Sequence, residues 1–128
     1  AELGGSRQEG WPGPAPPPGP IRLSMRVPPR LLDRARAQLP ASWSYHALPG
    51  VGEARIGASE FDLESCAGLR RWAETHGGAL VLTGAPRSVY ESFDPWGTDP
   101  ADLALQRRVV ARFDPDRVVN PGRMPGGW

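Results

Sequence analysis

Apolar and polar side chains alternate along several short stretches of this chain, which predicts β-strands. Residues 21–27 (IRLSMRV) place every apolar side chain on one face and the polar ones on the other, as in a half-buried strand. Residues 42–48 alternate too, with Trp43, Tyr45 and Ala47 on one face and Ser44 and His46 on the other. A turn at 49–52 (PGVG) joins this strand to a third, over 53–57, so the pair forms a hairpin.

The fourth predicted strand has a different pattern. Residues 79–83 (ALVLT) are short, apolar and uninterrupted, which is typical of a strand buried on both faces or nearly so.

Between these strands the apolar spacing changes to three and four, which predicts helices. One begins at Pro28-Pro29 and ends at Pro40, and a capping-box match at 59–62 (SEFD) starts a second, which Gly77-Gly78 closes. Residues 84–97 have no clear period and are predicted to be a loop. A second capping-box match at 99–102 (DPAD) predicts a helix to about residue 112, with an apolar stripe of Leu103, Val109, Val110 and Phe113.

The predicted order is β-α-β-β-α-β, followed by a loop, a helix and a tail. This is the split β-α-β, ferredoxin-like pattern of an α+β domain, with an antiparallel sheet, both helices on one face and the other face open. The last strand belongs at a sheet edge, yet its sequence predicts burial. We therefore expect a missing strand or domain to cover that edge.

Two regions divide the chain. Residues 1–20 contain the run GWPGPAPPPGP, which favours a stiff polyproline segment acting as a linker or lying on the surface. A PxxP ligand for an SH3-like domain is the alternative interpretation of the same run. Residues 21–128 form the predicted domain.

The composition of the chain excludes several classes of function and of site. With 15 basic and 14 acidic residues the net charge is +1, too small for a nucleic-acid footprint, and the absence of lysine excludes Schiff-base and P-loop chemistry. The single cysteine excludes an internal disulfide and a cysteine-based zinc site. No apolar run is long enough to span a membrane, and there is no signal-peptide pattern, so we expect a cytoplasmic protein.

The side chains that could carry chemistry are few. His46, in the middle of a strand and facing the predicted open side, is a candidate catalytic base, although a hydrogen-bonded structural histidine fits the pattern too. His76 suits the last turn of a helix, and the acidic groups at 60–64 and 99–102 suit helix starts. Cys66 lies on the inner stripe of a helix, which argues against a nucleophile. No spacing indicates a metal site.

The segment 113–123 (FDPDRVVNPGR) is the most distinctive motif in the chain. Its two X-Pro pairs predict the end of a helix, a turn, a short extended piece and a second turn. The motif resembles the C-terminal signature of FAD-linked oxidases of the vanillyl-alcohol-oxidase type, in particular the E subunits of glycolate oxidase, which typically end in FDP-x-x-x-x-NPGR. The stretch LVL at 80–82, the Ala85-Pro86 loop and the final helix extend the likeness. Asp116-Arg117 stands where x-Gly is common in the family.

The resemblance implies that this chain is the C-terminal cap region of such a subunit, peripheral to the membrane at most through its partners. In the family a separate domain binds FAD, and a ferredoxin-like cap covers the flavin and shapes the substrate pocket. Asn120 and Arg123 would hold the tail near the flavin domain, and Tyr45, His46 and Arg55 would contact a 2-hydroxy acid such as glycolate. The implied partners are that flavin domain and the other oxidase subunits, including an iron–sulfur subunit.

Because the glycine-rich FAD-binding stretch of the family is missing from the sequence, we expect this chain alone to bind no FAD and to catalyse nothing. Two alternatives stay open at this point. One is a free-standing ferredoxin-like module that binds a small effector or a protein, and the other is a structural subunit that pairs with a flavoprotein.

Overall fold

The computed structural model describes residues 17–97, 103–119, 121–122 and 125. Four strands form one sheet: β1 (Ile21–Arg26), β2 (Ser44–Leu48), β3 (Glu53–Ala58) and β4 (Ala79–Gly84). The described helices are α1 (Leu32–Arg36), α2 (Leu63–Thr75), α3 (Arg87–Tyr90) and α4 (Leu103–Phe113), with 3₁₀ turns at Pro29–Leu31 and Pro49–Val51.

The sheet is antiparallel throughout, in the order β2-β3-β1-β4. Ser24 in β1 lies opposite Arg55 in β3 and Val81 in β4, and His46 in β2 lies opposite Arg55 on the other side of β3. The α+β class and the antiparallel sheet are thus as predicted, and the arrangement is compatible with a ferredoxin-like fold.

One face of the sheet carries the core. The side chains of Ile21, Leu23 and Met25 in β1 are almost completely buried, as the alternation predicted. They belong to one apolar cluster with the buried residues of α1 (Leu32, Ala35) and α2 (Cys66, Leu69, Ala73). Both helices therefore pack on the same side of the sheet and leave the opposite face to solvent.

The prediction that β4 is buried on both faces is wrong. Leu80 and Leu82 are buried, but Ala79 and Thr83 are exposed, so the strand alternates like the others. β4 lies at the sheet edge, and the Leu82 amide donates to the carbonyl of Pro95 at 2.8 Å. A loop of the same chain thus accepts a hydrogen bond from the outer edge of β4, and the apolar character of β4 requires no missing strand.

That loop is more ordered than its sequence predicts. Residues 84–97 contain the short helix α3, and Val89 and Phe93 are buried in the core cluster. The Arg70 guanidinium lies 4.0 Å from the centre of the Phe93 ring and donates to the carbonyl of Asp94 at 2.8 Å. This side chain of α2 holds the loop against the domain.

Two helix starts differ from the predictions. The first helix is shorter than predicted: a three-residue 3₁₀ turn precedes the five residues of α1, which ends at Arg36 rather than at Pro40. The second begins at Leu63 with Asp62 as its N-cap, whose carboxylate accepts from the Glu64 amide at 3.1 Å, so the capping box at 59–62 was wrongly placed. Phe61, partly buried and 5.6 Å from the Phe93 ring, is fixed by this edge-on ring contact before the helix starts.

The final helix is present, but its stripe is largely uncovered. Leu103 is buried, whereas Leu105, Val109 and Phe113, at successive intervals of four, are 58%, 49% and 83% exposed. The predicted capping residues Asp99 and Asp102 lie outside the described residues. No helix in the described part of the chain is long and apolar enough to cross a membrane.

Candidate functional site on the open sheet face

The open face of the sheet is polar. Because side chains alternate along each strand, β1 sends Arg22, Ser24 and Arg26 to this side, and the facing positions of β3 are Glu53, Arg55 and Gly57. The outer strands contribute three residues each: Ser44, His46 and Leu48 from β2, and Ala79, Val81 and Thr83 from β4. The three arginines outnumber the single carboxylate, so this face is positively charged.

Glu53 links two neighbouring polar side chains. Its Oε1 atom accepts a hydrogen bond from Arg55 Nε at 3.3 Å and another from Ser24 Oγ at 3.3 Å. Only one N–H of the Arg55 guanidinium is used in this ion pair, which leaves the others directed away from Glu53.

The Arg22 side chain lies close to the backbone of β4. A Cβ atom placed on Gly84, its partner in β4, would lie 2.6 Å from Arg22 Nε and 2.8 Å from one of its terminal nitrogens. The guanidinium therefore lies directly against β4, in space that only glycine leaves free. No described carboxylate forms an ion pair with Arg22.

A depression of about 390 Å³ lies between these groups, lined by Arg22, Ser24, Glu53, Arg55, Thr83 and Pro17. Pro17 closes one end, because the segment before β1 crosses the open face above Gly57. A Cβ on Gly57 would lie 2.3 Å from the Pro18 carbonyl oxygen. The proline-rich segment thus lies on the domain surface where it is described, from residue 17 onward.

The open face brings together two of the three predicted substrate residues. His46 is exposed beside Arg55 and is therefore not a buried structural histidine. Tyr45 points to the opposite side, where its hydroxyl donates to the Leu32 carbonyl at 2.8 Å, and its pKa is raised by burial and by the nearby Asp33 carboxylate. Asn120 and Arg123, the predicted contacts to a flavin domain, lie outside the described residues.

Neither a family model, nor a curated protein, nor a solved structure matches this chain.

The tail motif forms a compact turn around Asp114. Its carboxylate accepts hydrogen bonds from the amides of Val118 at 2.9 Å and Val119 at 3.0 Å, directly after α4 ends at Phe113. Arg117 has a φ of 52°, in the left-handed region that favours glycine. A second turn follows at 121–122, so the helix end and both turns of the prediction are present, whereas Arg117 is left-handed and Val119 lies in a bend where an extended piece was expected.

The other candidate groups serve structural roles. Cys66 is buried, and burial, with a further contribution from the Asp62 carboxylate, raises the pKa of its thiol to about 11, the opposite of what an activated nucleophile needs. His76 ends α2, where its Nδ1 lies 2.7 Å from the Trp72 carbonyl oxygen and its ring packs on the Trp72 ring. The described residues contain no group of three or more side chains placed to hold a metal ion.

Sequence reasoning selected Arg55 but overlooked Arg22 and Thr83. The alternation of β1 already places Arg22 on the face of Ser24, so that signal was present in the sequence. The role of Gly84 in seating the guanidinium depends on the pairing of β1 with β4, which no local pattern reveals.

Proposed function

We propose that this chain is the C-terminal cap portion of an FAD-dependent 2-hydroxy-acid oxidase subunit of the glycolate oxidase type. Its fold is then a ferredoxin-like unit with a C-terminal helix and tail, and its flavin domain lies outside these 128 residues. The parent enzyme would oxidise an α-hydroxy acid to the corresponding keto acid, the flavin taking up the hydride.

The observation that carries this proposal is the backbone of the tail. The family motif has glycine where this chain has Arg117, and Arg117 adopts the left-handed conformation that glycine adopts without strain. The one departure from the motif is therefore a change of side chain at a position that keeps the backbone geometry glycine would favour. Asp114, which belongs to the quoted motif, organises the same turn through its two amide contacts.

The apolar surface around the tail supports the proposal as well. Leu105, Val109 and Phe113, one helical turn apart on α4, are exposed, and so are Val118 and Val119 in the tail. Exposed apolar groups that adjoin one another are typical of a surface that another protein or domain covers. In the proposed parent enzyme that covering body is the flavin domain toward which the tail returns.

The one glycine pattern in the chain that could suggest nucleotide binding lies in a hairpin turn. The one G-x-G sequence, Gly50 to Gly52, lies in the β2–β3 turn, with Gly52 at a φ of 66°, and does not open a helix whose amides could bind a pyrophosphate. No step of the oxidation is therefore assigned to FAD bound by this chain. His46 and Arg55 would contribute to the roof of a substrate pocket completed by the flavin domain.

The proposal is tested by the reading frame in which this sequence lies. We expect the sequence before Ala1 to encode a glycine-rich flavin-binding domain, and the protein made from the whole frame to purify with bound FAD that glycolate or a related acid reduces under anaerobic conditions. A start codon directly before Ala1, with no flavin domain encoded, would refute the cap assignment.

One observation favours a free-standing binding module as the second candidate. The core cluster is closed by the chain's own strands and helices, so the described domain buries its apolar sheet face without a partner. The two candidates differ in whether the chain needs a flavoprotein partner to function. A free-standing module remains monomeric and fully active in binding its ligand without any flavoprotein, whereas a cap needs the flavin domain for activity.

A further inference from the structure

We propose that the depression between Arg22 and Arg55 binds a small oxyanion, either a carboxylate or a phosphate group. The two arginines lie on one face of adjacent strands: Arg55 is opposite Ser24, and Arg22 is two residues before Ser24. They are thus diagonal neighbours across the β1–β3 pair, at the separation of about 7–8 Å that is usual for such positions. Both side chains line the same depression, and Ser24 lies between them on β1.

The charge balance of the depression favours an anion. Arg22 and Arg55 face a single described carboxylate, Glu53, which is already bonded to Arg55 and Ser24. Like charges on neighbouring strands repel each other, and an oxyanion between them removes this repulsion. Arginine is well suited to the role, because its planar fork can donate two parallel hydrogen bonds to a carboxylate or a phosphate.

The position of the Arg22 side chain defines one side of the depression. Its guanidinium rests against the bare backbone of Gly84, and the Thr83 hydroxyl donates to the Arg22 carbonyl at 3.0 Å. The Thr83 bond links the backbone of β1 to β4, and the Arg22 guanidinium itself lies over Gly84 in β4. The ligand would bind toward Arg22, because Glu53 repels a negative charge on the β3 side.

Pro17 and Glu53 limit the class of ligand. The depression has a volume of about 390 Å³, and Pro17 lines one end of it. A short carboxylic acid or inorganic phosphate enters this space, and the Glu53 carboxylate beside it disfavours a chain of several negative groups. The inference is independent of the proposed oxidase, since it needs only the open face of this domain.

The test is a titration of the ¹⁵N-labelled chain followed by amide chemical shifts. Separate arms use glycolate, inorganic phosphate and, at equal ionic strength, sodium chloride. We expect saturable shifts of the Ser24, Arg55 and Thr83 amides with glycolate or phosphate, and the arm with the lower Kd identifies the preferred oxyanion. Shifts that are linear and equal in all three arms would overturn the proposal.

Variants separate the site from general charge effects. Arg22→Gln and Arg55→Gln should each weaken binding by about tenfold or more, the usual range for a lost charge-assisted hydrogen bond. Gly84→Ala keeps both arginines but places a Cβ where the Arg22 guanidinium lies, so it should weaken binding as well. Arg87→Gln removes an exposed charge on α3, outside the depression, and should leave the Kd unchanged.

Two results with these variants would contradict the proposal. The first is a loss of affinity in Arg87→Gln equal to that in Arg55→Gln, which would mean non-specific attraction. The second is unchanged affinity in Arg22→Gln and Gly84→Ala when both give the amide spectrum of a folded domain.

Discussion

Replacing Arg117 by glycine should stabilise the turn of the tail motif. Arg117 has a φ of 52°, and its amide donates to the Asp114 carbonyl at 3.1 Å, so the left-handed conformation is part of the turn. A side chain in this conformation costs about 1–2 kcal/mol, and glycine gives back about 0.5–1 kcal/mol through its greater freedom in the unfolded chain. The net gain expected for Arg117→Gly is about 0.5–1 kcal/mol.

The assay must report on the turn itself, because a surface turn next to a chain end can open without unfolding the domain. The amides of Val118 and Val119 donate to the Asp114 carboxylate, so their hydrogen-exchange rates follow the opening of the turn. The expected gain corresponds to exchange slowed by about two- to fivefold at these two amides.

Arg117→Ala is the matched control for this experiment. It removes the guanidinium but keeps the Cβ atom, so the backbone strain remains and exchange should not slow. Equal slowing in Arg117→Ala and Arg117→Gly would refute the argument from φ, and faster exchange in Arg117→Gly would refute it more strongly.

Three further predictions concern α2. Gly68→Ala should stabilise the domain by about 1 kcal/mol in chemical denaturation, because Gly68 is helical and nothing lies within 4 Å of its Cβ position; Gly77→Ala, at a φ of 73°, should destabilise it instead. Burial raises the pKa of Cys66 from 9.0 to about 11, so the native state holds the thiol proton more tightly than the unfolded chain, and the free energy of unfolding should fall as pH rises from about 9 to 11. In Cys66→Ala this part of the decline should disappear, and an unchanged slope would exclude the thiol as its cause. The pKa of Asp62 is lowered by hydrogen bonds, first from the Ser65 hydroxyl and then from backbone amides. We therefore expect Asp62→Ala to lower Tm at neutral pH, and the difference in Tm from the parent protein to shrink as pH falls below 3.8. A difference in Tm that stays constant down to pH 2 would contradict the N-cap assignment.

The strands were predictable because their information is local. The alternation of β1 between buried leucine or methionine and exposed arginine is visible in the sequence and recurs in the burial of each residue. Such alternation tells which side chains share a face, and that sufficed to place His46 and Arg55 on the open side.

The remaining features depend on contacts between distant residues. Phe61 and Phe93 contact each other across more than thirty positions, and this contact helps to set where α2 starts and why the loop after β4 is ordered. Arg70 supports the same loop through bonds to its backbone. The helix α4 and its apolar side were predicted from spacing, but spacing alone does not say whether the chain covers that side, and Val109 and Phe113 are exposed.

The most direct test of the cap assignment is the flavin content of the protein produced from the complete reading frame, compared with that of these 128 residues alone. We expect flavin absorbance in the longer protein, bleached by an α-hydroxy acid under anaerobic conditions, and no saturable quenching of flavin fluorescence by the 128-residue chain. Saturable FAD binding by the 128-residue chain, or a complete frame that yields a protein without flavin, would contradict it.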